Sequence, residues 1–233
     1  MSEKDFFKLE KKIGVKFKDI KLLKQSMVHR SYLNEIRDFS LENNERLEFL
    51  GDAVLELIVT EYLYKNYDNP EGELTNWRAA LVNSKILSAI ASDMDIEEFL
   101  YLSKGEAKDK NSKARQYILA DAMEALIGAL YIDGGVAAAS KVIKKYILSK
   151  LSNILENKLY LDPKSRFQEL SQERAGITPL YKIIATKGPD HNKIFEVGLY
   201  LNEKIIARGE GMSKQEAQVN AAERALELAE WQD

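Results

Sequence analysis

Two nearly uncharged helical stretches, each carrying a pair of carboxylates, constrain this chain more than any other feature of its sequence. Residues 117–132 contain no charged side chains other than Asp121 and Glu124. Residues 47–55 are apolar apart from Glu48 and Asp52. The i,i+3 and i,i+4 spacings place each pair on one face of its helix. The many apolar neighbours predict that both helices have little solvated surface.

Three interpretations of these acids are open. Acid pairs on helices usually lie on a solvated face, which the apolar surroundings do not favour here. Burying an unpaired carboxylate is very costly, so the acids could instead meet buried cations such as Arg78 or Arg115. Alternatively, the two helices cross and their four carboxylates hold a hard divalent cation. Mg²⁺ suits oxygen ligands, whereas a chain with no Cys and two His argues against a zinc site.

Two glycines favour the crossing. A glycine inside a helix costs about 1 kcal/mol relative to alanine, so Gly51 and Gly128 suggest that two backbones approach closely. Gly128 lies on the same helix face as Asp121 and Glu124.

The periodicity changes along the chain. From Phe6 to about Leu155 the apolar spacing is helical, broken at short polar or glycine-containing stretches such as 133–135. From Asp162 onward we expect a helix, three strands and a last helix that opens with the capping box at Ser213. The expected organisation is an all-α domain over residues 1–152, a linker over 153–161, and an α+β domain of order α-β-β-β-α over 162–233.

Composition excludes some classes of protein. Without Cys there are no disulfides or thiolate metal sites, which fits a cytoplasmic protein. The N-terminal residues do not look like a secretory signal, and no apolar run approaches the ~18 residues of a membrane span. A net charge of −3 lowers the expectation of nucleic-acid binding without excluding it, because local clusters contact phosphates.

Several of these segments resemble one family. Residues 45–53, Glu-Arg-Leu-Glu-Phe-Leu-Gly-Asp-Ala, are similar to the signature of ribonuclease III, and residues 120–129 look like its second acidic helix. His29-Arg30-Ser31 and the stretch 74–83 match the pattern too, and the C-terminal segment is similar to a double-stranded-RNA-binding domain. Two positions depart from the ribonuclease III pattern. The loop 105–115 lacks the paired glycines often found there, and Tyr117 stands where the family often has serine.

The resemblance implies a homodimeric, Mg²⁺-dependent endonuclease, with Mn²⁺ able to substitute. It would hydrolyse duplex RNA to 5′-phosphate products with short 3′ overhangs, in the processing of ribosomal and messenger RNA precursors. By motif position, Glu48, Asp52, Asp121 and Glu124 become the catalytic, metal-binding acids, with Asp52 and Glu124 the most essential. Glu45 would support the site. The alternatives are a non-catalytic duplex-RNA-binding scaffold and a helical metal-binding protein unrelated to RNA.

Phe49 resembles the family residue that inserts into the partner subunit at the dimer interface. A simple core phenylalanine is the other interpretation of this position.

The resemblance also implies contacts with RNA, whose shape and 2′-hydroxyls such domains recognise. The corresponding positions are Gln168, Glu169 and Gln172 on the first helix, His191 in the loop 188–193, and Ser213 and Lys214 at the start of the last helix. The family often has more lysines after the one matching Lys214, where this chain has Gln215 and Gln218. Because residues 162–233 carry 12 acids and 10 bases, we expect modest affinity and a shallow salt dependence.

Overall fold

The structure is a computed structural model that describes residues 4–109, 112–189 and 193–230, with residues 229 and 230 described by their backbone alone. The chain forms two compact units, Met1–Asn157 and Lys158–Asp233. We call them the helical unit and the mixed unit.

The described part of the helical unit consists of helices and loops, with one isolated bridge between Val28 and Tyr101. Its α-helices are α1 Phe6–Ile13, α2 Ile20–Ser26, α3 Arg30–Glu35, α4 Glu45–Asn66, α5 Glu71–Val82, α6 Ser84–Asp93, α7 Lys104–Lys108, α8 Lys113–Tyr146 and α9 Leu151–Glu156. Two short 3-10 helices span Ile96–Phe99 and Leu148–Lys150.

Helices α4 and α8 cross at the two glycines, as the sequence predicts. A Cβ added to Gly51 would overlap the backbone carbonyl of Glu124, and one added to Gly128 would overlap that of Leu47. Side chains such as Leu55 and Met123 are fully buried on either side of this contact. The acids of the two helices are therefore held together by direct backbone contact.

Helix α8 is broken at Gly135, where the sequence predicts an interruption. Its φ of 68° and ψ of −167° are non-helical and suit glycine. The stretch Lys113–Glu156 is long and apolar enough to span a membrane by length and composition alone, which the sequence patterns did not indicate. Ile118, Leu126 and Ile143, however, belong to the buried core of the helical unit.

The exposed side of α4 differs from the sequence expectation. Instead of having little solvated surface, the helix exposes Phe49 (82%), Leu57 (64%) and Tyr64 (79%). Leu47 and Val54 are buried. Helices α8 and α5 cover the other faces of α4 within one chain, and the face with Phe49, Leu57 and Tyr64 is left to solvent.

The mixed unit contains α10 Pro163–Ala175, β1 Leu180–Lys187, β2 Ile194–Leu201, β3 Lys204–Gly211 and α11 Lys214–Glu230. The strands form an antiparallel sheet in the order β1-β2-β3. Its core joins both helices to one face of the sheet; among its buried residues are Phe167, Leu199, Ala207, Ala221 and Leu226. This confirms the expected α-β-β-β-α order.

Local signals explain both helix starts. The Asp162 carboxylate accepts hydrogen bonds from the amides of Lys164 (2.9 Å) and Ser165 (3.2 Å). At α11, Ser213 Oγ accepts from the amide of Glu216 (3.1 Å), whose carboxylate accepts from the amide of Met212 (2.9 Å). The two hydrogen bonds at α11 resemble a capping box, except that the Glu216 carboxylate accepts from the amide of Met212 and not from that of Ser213.

The boundary between the units falls inside the stretch expected to be a linker. Helix α9 continues to Glu156, and its Leu151 and Ile154 side chains are buried. These apolar contacts make residues 153–156 part of the helical unit, and the mixed unit begins at Lys158.

Candidate metal centre and nucleic-acid interface

Three of the four acids converge where α4 and α8 cross. Carboxylate oxygens of Glu48, Asp121 and Glu124 lie within 4.8 Å of one another, and all three side chains are half-buried. Glu48 comes from the first turn of α4, and the other two come from adjacent turns of α8. The glycine contact between the helices makes this proximity possible.

Asp52 occupies a different position from the other three. It is exposed, one turn after Glu48 on α4, and lies outside the group that shares the 4.8 Å spacing. Its charge nevertheless raises the pKa of both Glu48 and Glu124. Asp52 thus borders the cluster from the solvent side.

The three clustered carboxyls all have raised pKa values. Burial raises the pKa of Glu124 to about 8, aided by repulsion from Asp52, Asp121 and Glu48. Burial also raises the pKa of Glu48, with Asp121 the next cause, and the pKa of Asp121. Without a cation the site therefore favours protonated carboxyls, because its surroundings do not stabilise their negative charges.

Arg30 is a nearby cation to which the sequence analysis assigns no role. It lowers the pKa of Glu48 and Asp121, although burial outweighs it. Its guanidinium lies 3.5 Å from Glu45 Oε1, which places the predicted supporting residue Glu45 in an exposed ion pair. The motif His29-Arg30-Ser31 signals this position, but no local spacing links it to α4 or α8.

The described contacts of Arg78 and Arg115 do not support buried cations as partners for the acids. Arg115 is buried, and its guanidinium donates to the carbonyls of Asp109 (3.0 Å) and Glu106 (2.8 Å). Arg78 donates to Thr60 Oγ1 at 3.0 Å. Both arginines are thus directed to groups other than the four acids.

The cluster fits a hard divalent cation. Oxygens bound to one such ion at about 2–2.6 Å lie within about 4–5 Å of each other, which matches the 4.8 Å limit found here. The ligand set is purely carboxylate, as magnesium and calcium prefer. A bound cation would also favour the charged form of these carboxyls, against the burial that raises all three pKa values.

The predicted RNA contacts lie on the surface of the mixed unit. Gln168, Glu169 and Gln172 are exposed on α10, opposite the buried Phe167. Glu169 lies 3.5 Å from Lys158 in an exposed ion pair. Ser213 and Lys214 are exposed at the start of α11. The loop residue His191 lies outside the described residues.

A cleft of about 650 Å³ brings two of these regions together. Gln168 of α10 and Lys214 of α11 both line it, whereas Glu169 and Gln172 do not. The cleft also contains Lys164, a residue that the sequence analysis did not single out.

Known proteins share both units. A ribonuclease-III-like family profile matches residues 19–151, and a double-stranded RNA binding motif matches residues 163–228. Ribonuclease 3 of Campylobacter fetus is 43% identical over 94% of this chain and 96% of its own length. Ribonuclease 3 of Natranaerobius thermophilus is 43% identical over 96% of each chain.

A solved structure also matches the helical unit. The nuclease domain of ribonuclease III from Campylobacter jejuni superposes with a TM-score of 0.54 at 38% identity, covering 62% of this chain and 97% of that domain.

A helical unit with an acidic cluster at a helix crossing, followed by a duplex-RNA-binding motif, defines a class of two-domain endoribonucleases. This chain belongs to the ribonuclease III family.

Proposed function

We propose that this chain hydrolyses double-stranded RNA with Mg²⁺ held by Glu48, Asp121 and Glu124, and with Asp52 joining them from the rim. Two observations carry the proposal: three carboxylates converge within 4.8 Å, and the same chain contains a duplex-RNA-binding motif. Cytoplasmic processing of ribosomal and messenger RNA precursors, with 5′-phosphate and short 3′-overhang products, is part of the same proposal.

The half-buried acids and the exposed Asp52 have different roles in this proposal. Glu48, Asp121 and Glu124 supply negatively charged oxygens from a scaffold fixed by backbone contact, so little ordering remains when the ion and RNA bind. Mg²⁺ held by these three carboxylates would lower the pKa of a bound water and would offset the charge that develops on the phosphate. Asp52, being exposed, is free to turn toward the ion or orient the attacking water. Arg30, whose charge lowers the pKa of Glu48 and Asp121, suits a phosphate near the cluster.

We also propose that the protein acts as a homodimer. The nuclease domain from Campylobacter jejuni has a structurally flexible region that is involved in dimer formation. In this chain α4 has an apolar surface that a second subunit could bury. Phe49, Leu57 and Tyr64 form an exposed apolar row on it at helical spacing. We call this row the α4 face.

A two-fold axis near residues 56 and 57 would pair the α4 face with itself. Residue 49 of one subunit then lies opposite residue 64 of the other, because the two positions are equidistant from the axis. Tyr64 lines a cleft of about 800 Å³ together with Leu63, Tyr67 and Leu74. We propose that Phe49 enters this cleft in the partner, which explains its exposure in a single chain.

Cleavage of a long RNA duplex tests the catalytic proposal. Glu124→Gln and Asp52→Asn keep side-chain size but remove the charge, and we expect about 10²–10³-fold slower cleavage for each at saturating Mg²⁺. Binding of Mg²⁺ to the RNA-free protein, measured by calorimetry, should weaken in Glu124→Gln.

Glu156→Gln is the matched control, since Glu156 is an exposed acid at the end of α9 in the same unit. It should cleave at the wild-type rate. Wild-type rates in Glu124→Gln would contradict the assigned site. Binding of duplex RNA by the wild type without any cleavage would favour the non-catalytic scaffold instead.

A further inference from the structure

The cleft between α10 and α11 gathers cations in a unit that is otherwise rich in acids. Lys164 and Lys214 come from the first turns of two different helices and line the same space of about 650 Å³. Residues 162–233 together carry 10 bases against 12 acids. Two ammonium groups thus share one cleft in a unit whose formal net charge is negative.

Lys164 is held in position by two contacts. Its Nζ donates to Gln218 Oε1 at 2.8 Å and lies 5.2 Å from the centre of the Tyr181 ring. The ammonium of Lys164, a residue of α10, thus lies at the surface of α11. After Lys214, the described residues of α11 that line the cleft are the uncharged Gln215, Gln218 and Val219.

The acids near the cleft leave a net positive charge. Asp162 is the one acid among the described lining residues, and its carboxylate oxygens accept from the amides of Lys164 and Ser165 at the start of α10. The carboxylate of Glu216, on α11, accepts from the Met212 amide. Two ammonium groups consequently face one carboxylate that is already engaged.

The Tyr181 hydroxyl adds an unused donor. It is buried and has no hydrogen-bond partner among the described residues. Burial raises the pKa of Tyr181 to about 12, with the Asp162 charge adding to it, so the hydroxyl keeps its proton at neutral pH. Buried polar groups are normally paired, and an acceptor entering the cleft would supply the missing partner.

We propose that Lys164 of α10 is a further phosphate-binding residue, which supplies a second ammonium beside Lys214 to a phosphodiester of duplex RNA in this cleft. Paired ammoniums, side-chain amides and two helix N-termini are groups that recognise phosphate oxygens. Gln168 lines the same cleft on the exposed face of α10, which makes the phosphate site continuous with the predicted groove-facing residues. The proposal rests on the RNA binding included in the proposed function.

Binding of the full chain to a duplex of about 30 bp, in EDTA to prevent cleavage, tests this assignment across a KCl series. Lys164→Gln should weaken binding about 5–10-fold at low salt and reduce the slope of log K against log salt by about 0.7–0.9, the loss expected for one phosphate contact. Lys164→Arg should keep the wild-type slope. Lys204→Gln is the matched control, because Lys204 is exposed at the start of β3 and does not line the cleft.

The double variant Lys164→Gln/Gln218→Lys returns an ammonium to the same place from α11. We expect it to restore both affinity and slope, which a merely structural role of Lys164 would not allow. Equal behaviour of Lys164→Gln and Lys204→Gln, or a double variant no better than Lys164→Gln, would overturn the phosphate site alone. Failure of the wild type to bind duplex RNA would overturn the RNA binding of the proposed function as well.

Discussion

Glu124 carries its charge in the least favourable surroundings of the four acids. It is half-buried, and three other carboxylates repel it. A carboxyl whose pKa rises to about 8 on folding holds its proton through most of the neutral range when no cation is bound. The same group becomes a strong ligand once a cation replaces the proton.

Metal-free protein should accordingly lose stability as pH rises. Below pH ~4.5 Glu124 is protonated in both folded and unfolded states. Between about pH 4.5 and 8 only the folded state keeps the proton, so the free energy of unfolding falls as pH rises. Relative to wild type, Glu124→Gln should gain stability across this window, on the order of 1–2 kcal/mol at pH 8, because water screens part of the full shift.

Urea unfolding in EDTA at pH 5 and pH 8 measures this difference. Adding Mg²⁺ at pH 8 should stabilise the wild type more than Glu124→Gln. A stability difference between the two proteins that does not change with pH would contradict the raised pKa.

At the scale of elements, the site depends on how closely two helices approach. The Gly51 and Gly128 positions allow the α4 and α8 backbones to touch, and the Glu124 carbonyl lies directly against Gly51. Any side chain there would separate the helices, and with them Glu48 from Asp121 and Glu124.

Gly51→Ala should therefore reduce both stability and metal affinity. Overpacking a core contact costs about 1–3 kcal/mol, and a clash with backbone falls at the upper end. Gly72→Ala is the control, because a Cβ on Gly72, in the first turn of α5, meets nothing within 4 Å. Gly72→Ala should leave metal affinity unchanged, and its free energy of unfolding should stay the same or rise by up to about 1 kcal/mol. Urea unfolding and Mg²⁺ titration would show the contrast, and a Gly51→Ala protein with wild-type values for both would refute the close crossing.

For the whole molecule, we expect a homodimer that forms through the α4 face. Leu57 lies beside the proposed two-fold axis and is 64% exposed in one chain. An aspartate there would bring two like charges together in the interface, which costs several kcal/mol.

Leu57→Asp should be monomeric in sedimentation experiments at concentrations where the wild type is a dimer. Phe7→Asp is a suitable control, because Phe7 is similarly exposed (68%) but lies on α1. A wild-type protein that sediments as a monomer, or a dimer indifferent to Leu57→Asp, would exclude the α4 face as the interface.

Much of the architecture follows from local patterns. The i,i+3 and i,i+4 spacings placed each acid pair on one helix face, Gly51 and Gly128 indicated the crossing, and the caps at Asp162 and Ser213 marked where helices begin. These features depend on residues a few positions apart, whose geometry follows from the helical repeat and from hydrogen bonds within one turn.

Other features depended on the tertiary structure. Only packing decided that Asp52 stays outside the three-carboxylate group, that Arg30 lies near Asp121, and that Lys164 reaches Gln218. Only packing showed that one face of α4 remains uncovered, because an apolar helix has the same sequence pattern whether its own chain or a second one buries it. The sequence by itself determined which groups share a helix face. Contacts between distant segments follow from crossing geometry and side-chain rotamers, which no local pattern contains.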